Sequence, residues 1–371
     1  MFFVPPLGGG TEIIMATDLL LKGNSYFAAA NSRAGFVSFF DKIFTQDELC
    51  YLYIIKGGSG TGKSRLMKEV GAEAEKLGEG VEYFYCSSDP DSLDGVILKN
   101  RGIGIIDGTS PHVAEPRLPG CFDEILNLGA FWDSGILRAH REEISLLCAE
   151  KSDLYQRAYS YLSVAGKLTS ICDGMIKPHV RHTKLNMWAQ RMCKRFDGSK
   201  AYTEKIRLTD GISYRGRTKL DSFYTSAREH YVISDTMHIS HIVLQALCEA
   251  AKARGISHTV SYEPLDTSKI NGLYLHDIGV SFTQLSYDKE PGAHDTLINT
   301  ERFFDREAFK DDRSGVRSMN KCALLMTDAA TETMKRIFSL HSALEDIYIS
   351  AMDFKAKEEY TAALVKRIFL G

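Results

Sequence analysis

The spacing of hydrophobic residues predicts a strand, a helix and a second strand in the first third of the chain. Residues 52–56, LYIIK, are β-branched or aromatic and predict a buried strand. After a glycine-rich stretch, Leu66, Val70 and Ala74 recur at helical spacing, and the pattern stops at a glycine. A second apolar run, VEYFY at 81–85, predicts the next strand. This order is typical of an α/β fold with a mostly parallel sheet flanked by helices.

The stretch between the first strand and the helix, GGSGTGKS, matches G-x-x-x-x-G-K-[ST]. Glycines let backbone N–H groups approach phosphate oxygens, and the helix N-terminus favours an anion. We expect Lys63 to reach the β- and γ-phosphates and the Ser64 hydroxyl to bind Mg²⁺. The sequence therefore predicts a P-loop that binds ATP through Gly57, Gly58, Ser59, Gly60, Thr61, Gly62, Lys63 and Ser64.

Three aspartates follow the second predicted strand, in the stretch CSSDPDSLDG. Ligands of open α/β sheets bind at the carboxyl ends of the strands, so Asp89 and Asp91 are candidates to face the γ-phosphate and position water or an acceptor hydroxyl. The alternative is an Asx-turn, because Asp, Ser and Pro are also ordinary turn residues.

The next apolar run, IGIID, ends at Asp107 and predicts the strand whose aspartate holds Mg²⁺, directly or through water. The residue after Asp107 is Gly108, so the glutamate often found there in ATP hydrolases is missing or comes from elsewhere. His112 is a further candidate contact of the γ-phosphate, although a single histidine is more often structural. The catalytic candidates are Lys63, Asp89, Asp91 and Asp107.

The second half of the chain repeats the pattern of the first. YIIKGGSGTGKS from Tyr53 aligns with YVISDTMHISHI from Tyr231. The match continues at an offset that falls from about 178 to about 172 residues. The aligned segments include 92–98 with 269–275, 119–128 with 291–300, and 131–141 with 303–313. We therefore predict a tandem duplication of a P-loop NTPase-type domain, each copy with a helical extension, over 25–200 and 201–371.

Comparison of the two copies separates residues that the fold needs from residues that are candidates for binding and catalysis. The strand and helix patterns occur in both, whereas the phosphate-binding residues occur only in the first. In this alignment Lys63 corresponds to His241 and Ser64 to Ile242, while Asp107 corresponds to a residue near Thr283. The glycines of the first loop correspond to Asp235, His238 and Ser240. Without lysine, serine and glycines, the second loop is predicted not to bind nucleotide.

Composition and net charge limit the class of protein and its general binding partners. The chain has 371 residues, of which 44% are hydrophobic and 25% are charged, with a formal net charge of −3. These values are typical of a globular protein and give no general attraction to nucleic acid or an anionic membrane. No apolar run is long enough to predict a membrane helix. Residues 1–24 are predicted to be a flexible leader. The eight cysteines are scattered along the chain, which predicts reduced thiols and a cytoplasmic protein.

Residues 136–196 and 306–369 are predicted to be largely helical. Within them, 177–207 contains nine Lys or Arg against two acidic residues, with Trp188 inside. A nucleic-acid surface is one interpretation. A solvated helix and linker is the favoured alternative, because most charge runs have no ligand.

The strings KGGSGTGKS, YCSSDPDSLDGV, IIDGTSPH and PGCFDEILNLG resemble a bacterial family of uncharacterised ATPases built from two P-loop-type halves. The resemblance covers nearly the whole chain after about residue 25 and implies ATP binding at Gly57–Ser64 and an intracellular ATPase role. Both halves of family members generally look as if they carry a P-loop, whereas the second loop here is DTMHISHI.

Three functions are consistent with these patterns. The first is a Mg²⁺-dependent ATPase whose degenerate half presents Arg215, Arg217 or Arg313 to the working half as an arginine finger. The second is a small-molecule kinase whose aspartates after strand two hold an acceptor hydroxyl. The third is a nucleotide-gated binding protein with little turnover. The partner in each case is a nucleotide together with an unidentified small molecule or protein.

Overall fold

The computed structural model describes residues 14–15, 24–285 and 291–370. Apart from residues 14, 15 and 24, the predicted leader lies outside this part of the chain. The strands are β1 (Ile14–Met15), β2 (Asn24–Phe27), β3 (Ala29–Ser32), β4 (Gly35–Ser38), β5 (Tyr51–Lys56), β6 (Val81–Tyr85), β7 (Leu93–Leu98), β8 (Ile103–Asp107), β9 (Asp123–Asn127), β10 (Glu204–Ile206), β11 (Asp210–Ser213), β12 (Gly216–Lys219), β13 (Glu229–Ser234), β14 (His258–Tyr262), β15 (Ile270–Leu275), β16 (Val280–Gln284) and β17 (Asp295–Asn299).

The helices carry the remaining regular structure. They are α1 (Phe40–Ile43), α2 (Lys63–Lys76), α3 (Ser134–Ala139), α4 (Arg141–Ile176), α5 (His182–Cys193), α6 (Ser222–Ser226), α7 (Ser240–Ala253), α8 (Arg313–Ser350) and α9 (Phe354–Leu370). Among the described residues, no helix combines the length and the apolar character needed to cross a membrane.

Two six-stranded mixed sheets with helices around them make the fold α/β. The first sheet has the order β2-β6-β7-β8-β5-β9 and the second the order β10-β14-β15-β16-β13-β17. Pairs within each sheet are parallel, except that β7 and β15 run antiparallel to both neighbours. The same order and the same directions recur in both halves, as a duplicated domain requires.

The helical spacing predicted for α2 is confirmed. Leu66, Val70 and Ala74 are buried under the first sheet, and the helix ends before Gly78, whose φ of 75° is readily adopted only by glycine. In the second half Gly255 has a φ of 64° at the corresponding place after α7. The predicted end of a strand at Asp107 is also confirmed.

The two halves are joined by their helices as well as by the chain. The long helices α4 and α8 pack along each other in opposite directions, because Lys151 lies beside His341 while Cys172 lies beside Val316. Beyond them, α5 packs on α7 of the second half and α9 packs on α2 of the first. Each half therefore gives its last helix to the core of the other.

The backbone contacts between the halves are reciprocal. Trp132 forms an isolated antiparallel β-bridge with Met352, and Val180 forms one with Phe304. Trp132 and Phe304 stand at equivalent positions in the two halves, as do Val180 and Met352. Phe27, the last residue of β2, and Leu208, two residues after β10, exchange both backbone hydrogen bonds with each other at 2.8 and 3.3 Å. The two halves are therefore related by an approximate twofold axis that passes near Phe27 and Leu208.

Candidate functional site

The glycine-rich loop between β5 and α2 forms the floor of a cavity of about 790 Å³. Every residue of the loop from 57 to 64 lines this cavity, and α2 begins at Lys63. Gly60 and Gly62 have φ values of 69° and 80°, which strain any residue with a side chain. A Cβ atom at Gly58 would also lie 2.7 Å from the Tyr348 ring of α8, so close packing of α8 adds to the need for glycine.

Lys63 and Asp107 meet at the bottom of the cavity. The Lys63 Nζ donates hydrogen bonds to the carbonyl oxygens of Gly57 at 3.1 Å and Gly58 at 2.8 Å, and lies 3.6 Å from Asp107 Oδ2. The other Asp107 oxygen, Oδ1, accepts the backbone N–H and the hydroxyl of Thr109 at 2.9 and 2.6 Å. These bonds fix the carboxylate so that Oδ2 faces the lysine.

The predicted magnesium ligands, Ser64 and Asp107, both line the cavity. The Ser64 hydroxyl oxygen accepts the backbone N–H of Leu93 at 2.9 Å and keeps a second lone pair. Asp107 Oδ2 is likewise left with acceptor capacity. A hydroxyl and a carboxylate are oxygen ligands of the kind that Mg²⁺ prefers, so these residues fit the ion.

The two aspartates of the Asp-Pro-Asp turn differ in position. Asp89 lines the cavity, and its Oδ1 accepts the backbone N–H of Asp91 at 3.2 Å, as in an Asx-turn. Asp91 is directed to the second half, where it forms an ion pair with Arg215 and accepts a hydrogen bond from Tyr214. Asp89 therefore both forms an Asx-turn and lines the cavity, so both sequence interpretations apply to it. Asp91 forms a contact between the halves instead.

The third aspartate of the stretch, Asp94, lies deeper than the other two. It is 5% exposed, and burial raises the pKa of its carboxyl to about 6. His112 lies beside it, with its Nε2 at 3.7 Å from Asp94 Oδ1 and its ring stacked on Phe40. Both residues line the cavity next to Asp107. His112 therefore lies at the cavity, as expected if it is a functional residue and not a distant structural histidine.

The helices α4 and α8 cover the loop and add polar groups that the sequence did not indicate. Lys151 comes from α4, and His341 and Glu345 come from α8; all three line the cavity. Lys151 Nζ lies 3.4 Å from His341 Nδ1, and among the described residues no carboxylate lies within 4 Å of it. Burial lowers the pKa of Lys151 and, together with Lys151, lowers that of His341 to about 4, whereas burial raises the pKa of Glu345.

The three arginines considered as a finger lie elsewhere. Arg215 forms the ion pair with Asp91, and Arg217 forms ion pairs with Asp210 and Glu263 of its own half. Arg313 is the first residue of α8, more than twenty residues before the part of α8 that lines the cavity, which is roughly 30 Å along a helix. None of the three lines the cavity.

The loop of the second half binds a carboxylate of its own. The buried Asp235 accepts the backbone N–H groups of Ile239 and Ser240, at 2.9 and 2.7 Å, at the start of α7. An anion at a helix N-terminus is what a phosphate would supply. Asp235 therefore supplies, within the second loop, the negative charge that a bound anion would supply.

Two pairings between the halves differ by one residue from the sequence alignment. Because α2 begins at Lys63 and α7 at Ser240, Lys63 corresponds to Ser240 instead of His241. The strand register pairs Ile55 with Asp107 and Ile233 with Gln284, so Asp107 corresponds to Gln284 instead of Thr283. The deleted residue therefore lies inside the second loop, and neither replacement restores a cation or a carboxylate.

The basic segment 177–207 contributes α5 to the second half. Its Trp188 is 8% exposed and packs against Phe303, so its ring is not available to stack on bases. Two of its basic side chains, His179 and Arg181, lie beside Asp312 and Asp305. These contacts favour a structural role for the segment.

Comparison with known proteins gave no match to a family model, a curated protein or a solved structure. The resemblance to tandem ATPases stays a prediction, and the function is inferred from the cavity.

Proposed function

We propose that this chain is a Mg²⁺-dependent ATP-binding protein, an ATPase with one working P-loop half and one degenerate half. The observation that carries this proposal is the position of Lys63 and Asp107, 3.6 Å apart below a glycine-rich loop at a helix N-terminus. Backbone N–H groups, a lysine and a magnesium-binding carboxylate are the groups that phosphoryl transfer from a nucleotide requires.

In this proposal the residues of the floor bind the phosphates. The loop N–H groups and Lys63 hold the β- and γ-phosphate oxygens, and Ser64 and Asp107 hold Mg²⁺, which neutralises charge on those oxygens when it is bound. Lys151 reaches the cavity from α4, whereas Lys63 belongs to the loop. Among the described residues, Lys151 is the best candidate to stabilise the charge that develops on the transferred phosphoryl group. From the sequence, an arginine finger was the candidate for this role.

The group that positions water comes from outside the strand that ends at Asp107. Asp89 and Glu345 are carboxylates that line the cavity, and Glu345 has a raised pKa. A raised pKa suits a carboxylate that accepts a proton. Glu345 is therefore the preferred candidate to orient the attacking water.

One observation favours a second function, a small-molecule kinase. Tyr155, Tyr159 and Phe338 also line the cavity, and its volume of about 790 Å³ is within the range of pockets that enclose drug-sized ligands. Aromatic side chains beside a phosphate site can hold an acceptor molecule. Asp89 would then orient the acceptor hydroxyl instead of water.

Incubation of the purified protein with ATP and Mg²⁺, with and without a metabolite pool, separates these functions. Release of free phosphate supports the ATPase, and transfer of phosphate to a metabolite supports the kinase. Tight retention of ATP with neither reaction supports the nucleotide-gated binding protein. The absence of ATP binding by the wild-type chain would refute all three.

A further inference from the structure

Three metal-binding side chains lie together beside the loop, and only one of them belongs to the proposed Mg²⁺–ATP site. Asp94 stands near the start of β7, Asp107 ends β8, and His112 follows in the next loop. One ligand atom of each lies within 4.8 Å of the others, and the three residues are 5%, 8% and 8% exposed.

His112 gives this cluster an unpartnered nitrogen donor. Its Nδ1 is buried and has no hydrogen-bond partner among the described residues. Its Nε2 faces Asp94 Oδ1 at 3.7 Å, which is too long for a hydrogen bond. Buried polar groups in proteins are almost always paired, so a buried imidazole that makes no hydrogen bond to a described residue and turns Nε2 toward a carboxylate points to a ligand that is bound through Nε2.

The two carboxylates point to a cation. Asp94 and Asp107 are both buried, and one oxygen of each lies within 4.8 Å of the other, so two carboxylates face each other with little water between them. Lys63 contacts Asp107 at 3.6 Å and is needed for phosphate in the proposed function. A divalent ion between the carboxylates would offset their repulsion and leave Lys63 free.

The degenerate half lacks this cluster. The strand registers place Asn271 at the position of Asp94 and Gln284 at the position of Asp107. Asn271 has nearly the shape of the aspartate at its position, whereas Gln284 is one methylene longer than Asp107. The halves therefore differ in charge at both positions, and the acidic pair is confined to the half that keeps Lys63.

We infer that Asp94, Asp107 and His112 bind a divalent first-row transition-metal ion directly, without nucleotide. Two carboxylate oxygens and one imidazole nitrogen suit Mn²⁺, Fe²⁺, Co²⁺ or Zn²⁺ better than Mg²⁺, which prefers oxygen ligands only. Three protein ligands leave coordination positions open toward the cavity. The inference shares Asp107 with the proposed function but does not depend on ATP binding.

The test uses the full chain, Co²⁺ and Mn²⁺ as probes, and no nucleotide. Titration with Co²⁺ followed by its visible absorption, and with Mn²⁺ followed by electron paramagnetic resonance, should give about one bound ion per chain. Asp94→Asn, which reproduces the residue of the degenerate half, and His112→Gln should each weaken binding at least about tenfold. Glu115→Gln, an exposed carboxylate in the same loop, should leave binding unchanged.

Two further measurements separate this site from the P-loop. Lys63→Ala should keep Mn²⁺ binding while ATP affinity falls, and an excess of Mg²⁺ should displace Mn²⁺ poorly. Thermal unfolding of Asp94→Asn shows whether that variant is folded. Wild-type protein that binds neither probe without nucleotide would overturn the inference, as would folded Asp94→Asn and His112→Gln variants with unchanged affinity. Either result would leave the ATP proposal standing.

Discussion

The two loops that connect β5 to α2 and β13 to α7 are flanked by equivalent strands and helices, but their residues differ in chemistry. The first has glycines, a lysine and an open cavity, whereas the second has a buried carboxylate that already satisfies the N-terminus of its helix. A helix N-terminus is stabilised by a negative charge in either case. The second loop supplies that charge with Asp235, whereas the first loop contains no carboxylate and its helix has no side-chain cap. In the proposed function, Asp235 is therefore an internal replacement for the phosphate that the first loop binds.

The largest effect that this comparison predicts is on stability. Asp235→Ala removes two charge-assisted hydrogen bonds from a buried helix start and should lower the free energy of unfolding by about 3 kcal/mol. Urea unfolding measures it. The control is Asp133→Ala, because Asp133 accepts two N–H groups at the start of α3 at an exposed position and should cost only about 1 kcal/mol. Equal costs for the two variants would contradict the internal replacement.

The next effect is on nucleotide affinity. Lys63→Ala removes the cation that faces Asp107 and should weaken ATP binding about 10- to 100-fold, as measured by isothermal titration calorimetry. The control is Lys76→Ala, at the exposed end of the same helix, which should bind ATP like the wild type. Undiminished binding by Lys63→Ala would mean that ATP does not bind at this loop.

A smaller effect is expected on turnover. Lys151→Ala should slow phosphoryl transfer about tenfold and change ATP affinity less than threefold, because Lys151 acts on charge that develops during reaction. Since its pKa is lowered, the rate should fall as pH rises through a value below that of an ordinary lysine. Lys151→Arg should restore part of the rate and move that fall to higher pH, whereas Lys167→Ala on the same helix should change neither. A rate unaffected by Lys151→Ala would exclude this role.

The smallest effect concerns the exchanged helices. In α9, Lys357 is 1% exposed and its side chain lies against Gly62, whereas α5 carries the buried Leu185 at the corresponding position in the core of the second half. Lys357→Leu should raise stability by about 1 kcal/mol, since a buried cation is costly, and weaken ATP binding less than about fivefold, through loss of a nearby positive charge. Differential scanning calorimetry and ATP titration measure the two changes. A destabilised variant would show that Lys357 has a structural partner.

The sequence predicted the elements of the fold better than their arrangement. Periodicity was sufficient for β5, α2 and the strand that ends at Asp107. The antiparallel direction of β7 was not predicted, although only seven residues separate it from β6 and a parallel crossover needs about a dozen. The exchange of α5 and α9 could not be predicted, because an amphipathic pattern shows that a helix buries one face but not which sheet it covers.

The same limit applies to the site. The glycine-rich loop was located because a motif fixes its spacing, and Asp107 was located because an apolar strand pattern ends there. Lys151, His341 and Glu345 lie in long charged helices where nothing distinguishes them from solvated neighbours, and only the packing of α4 and α8 over the loop brings them to the cavity. Asp94 was noted with its neighbours, but its pairing with His112 depends on the direction of β7.

The exchange of helices also determines when the first half can fold during synthesis. Leu364 and Ile368 of α9 belong to the hydrophobic core built on β5, although roughly 300 residues separate them from that strand. Until those residues leave the ribosome, the surface that they cover stays exposed to solvent. Chaperones that bind apolar surface would therefore meet the first half for most of the time that translation takes.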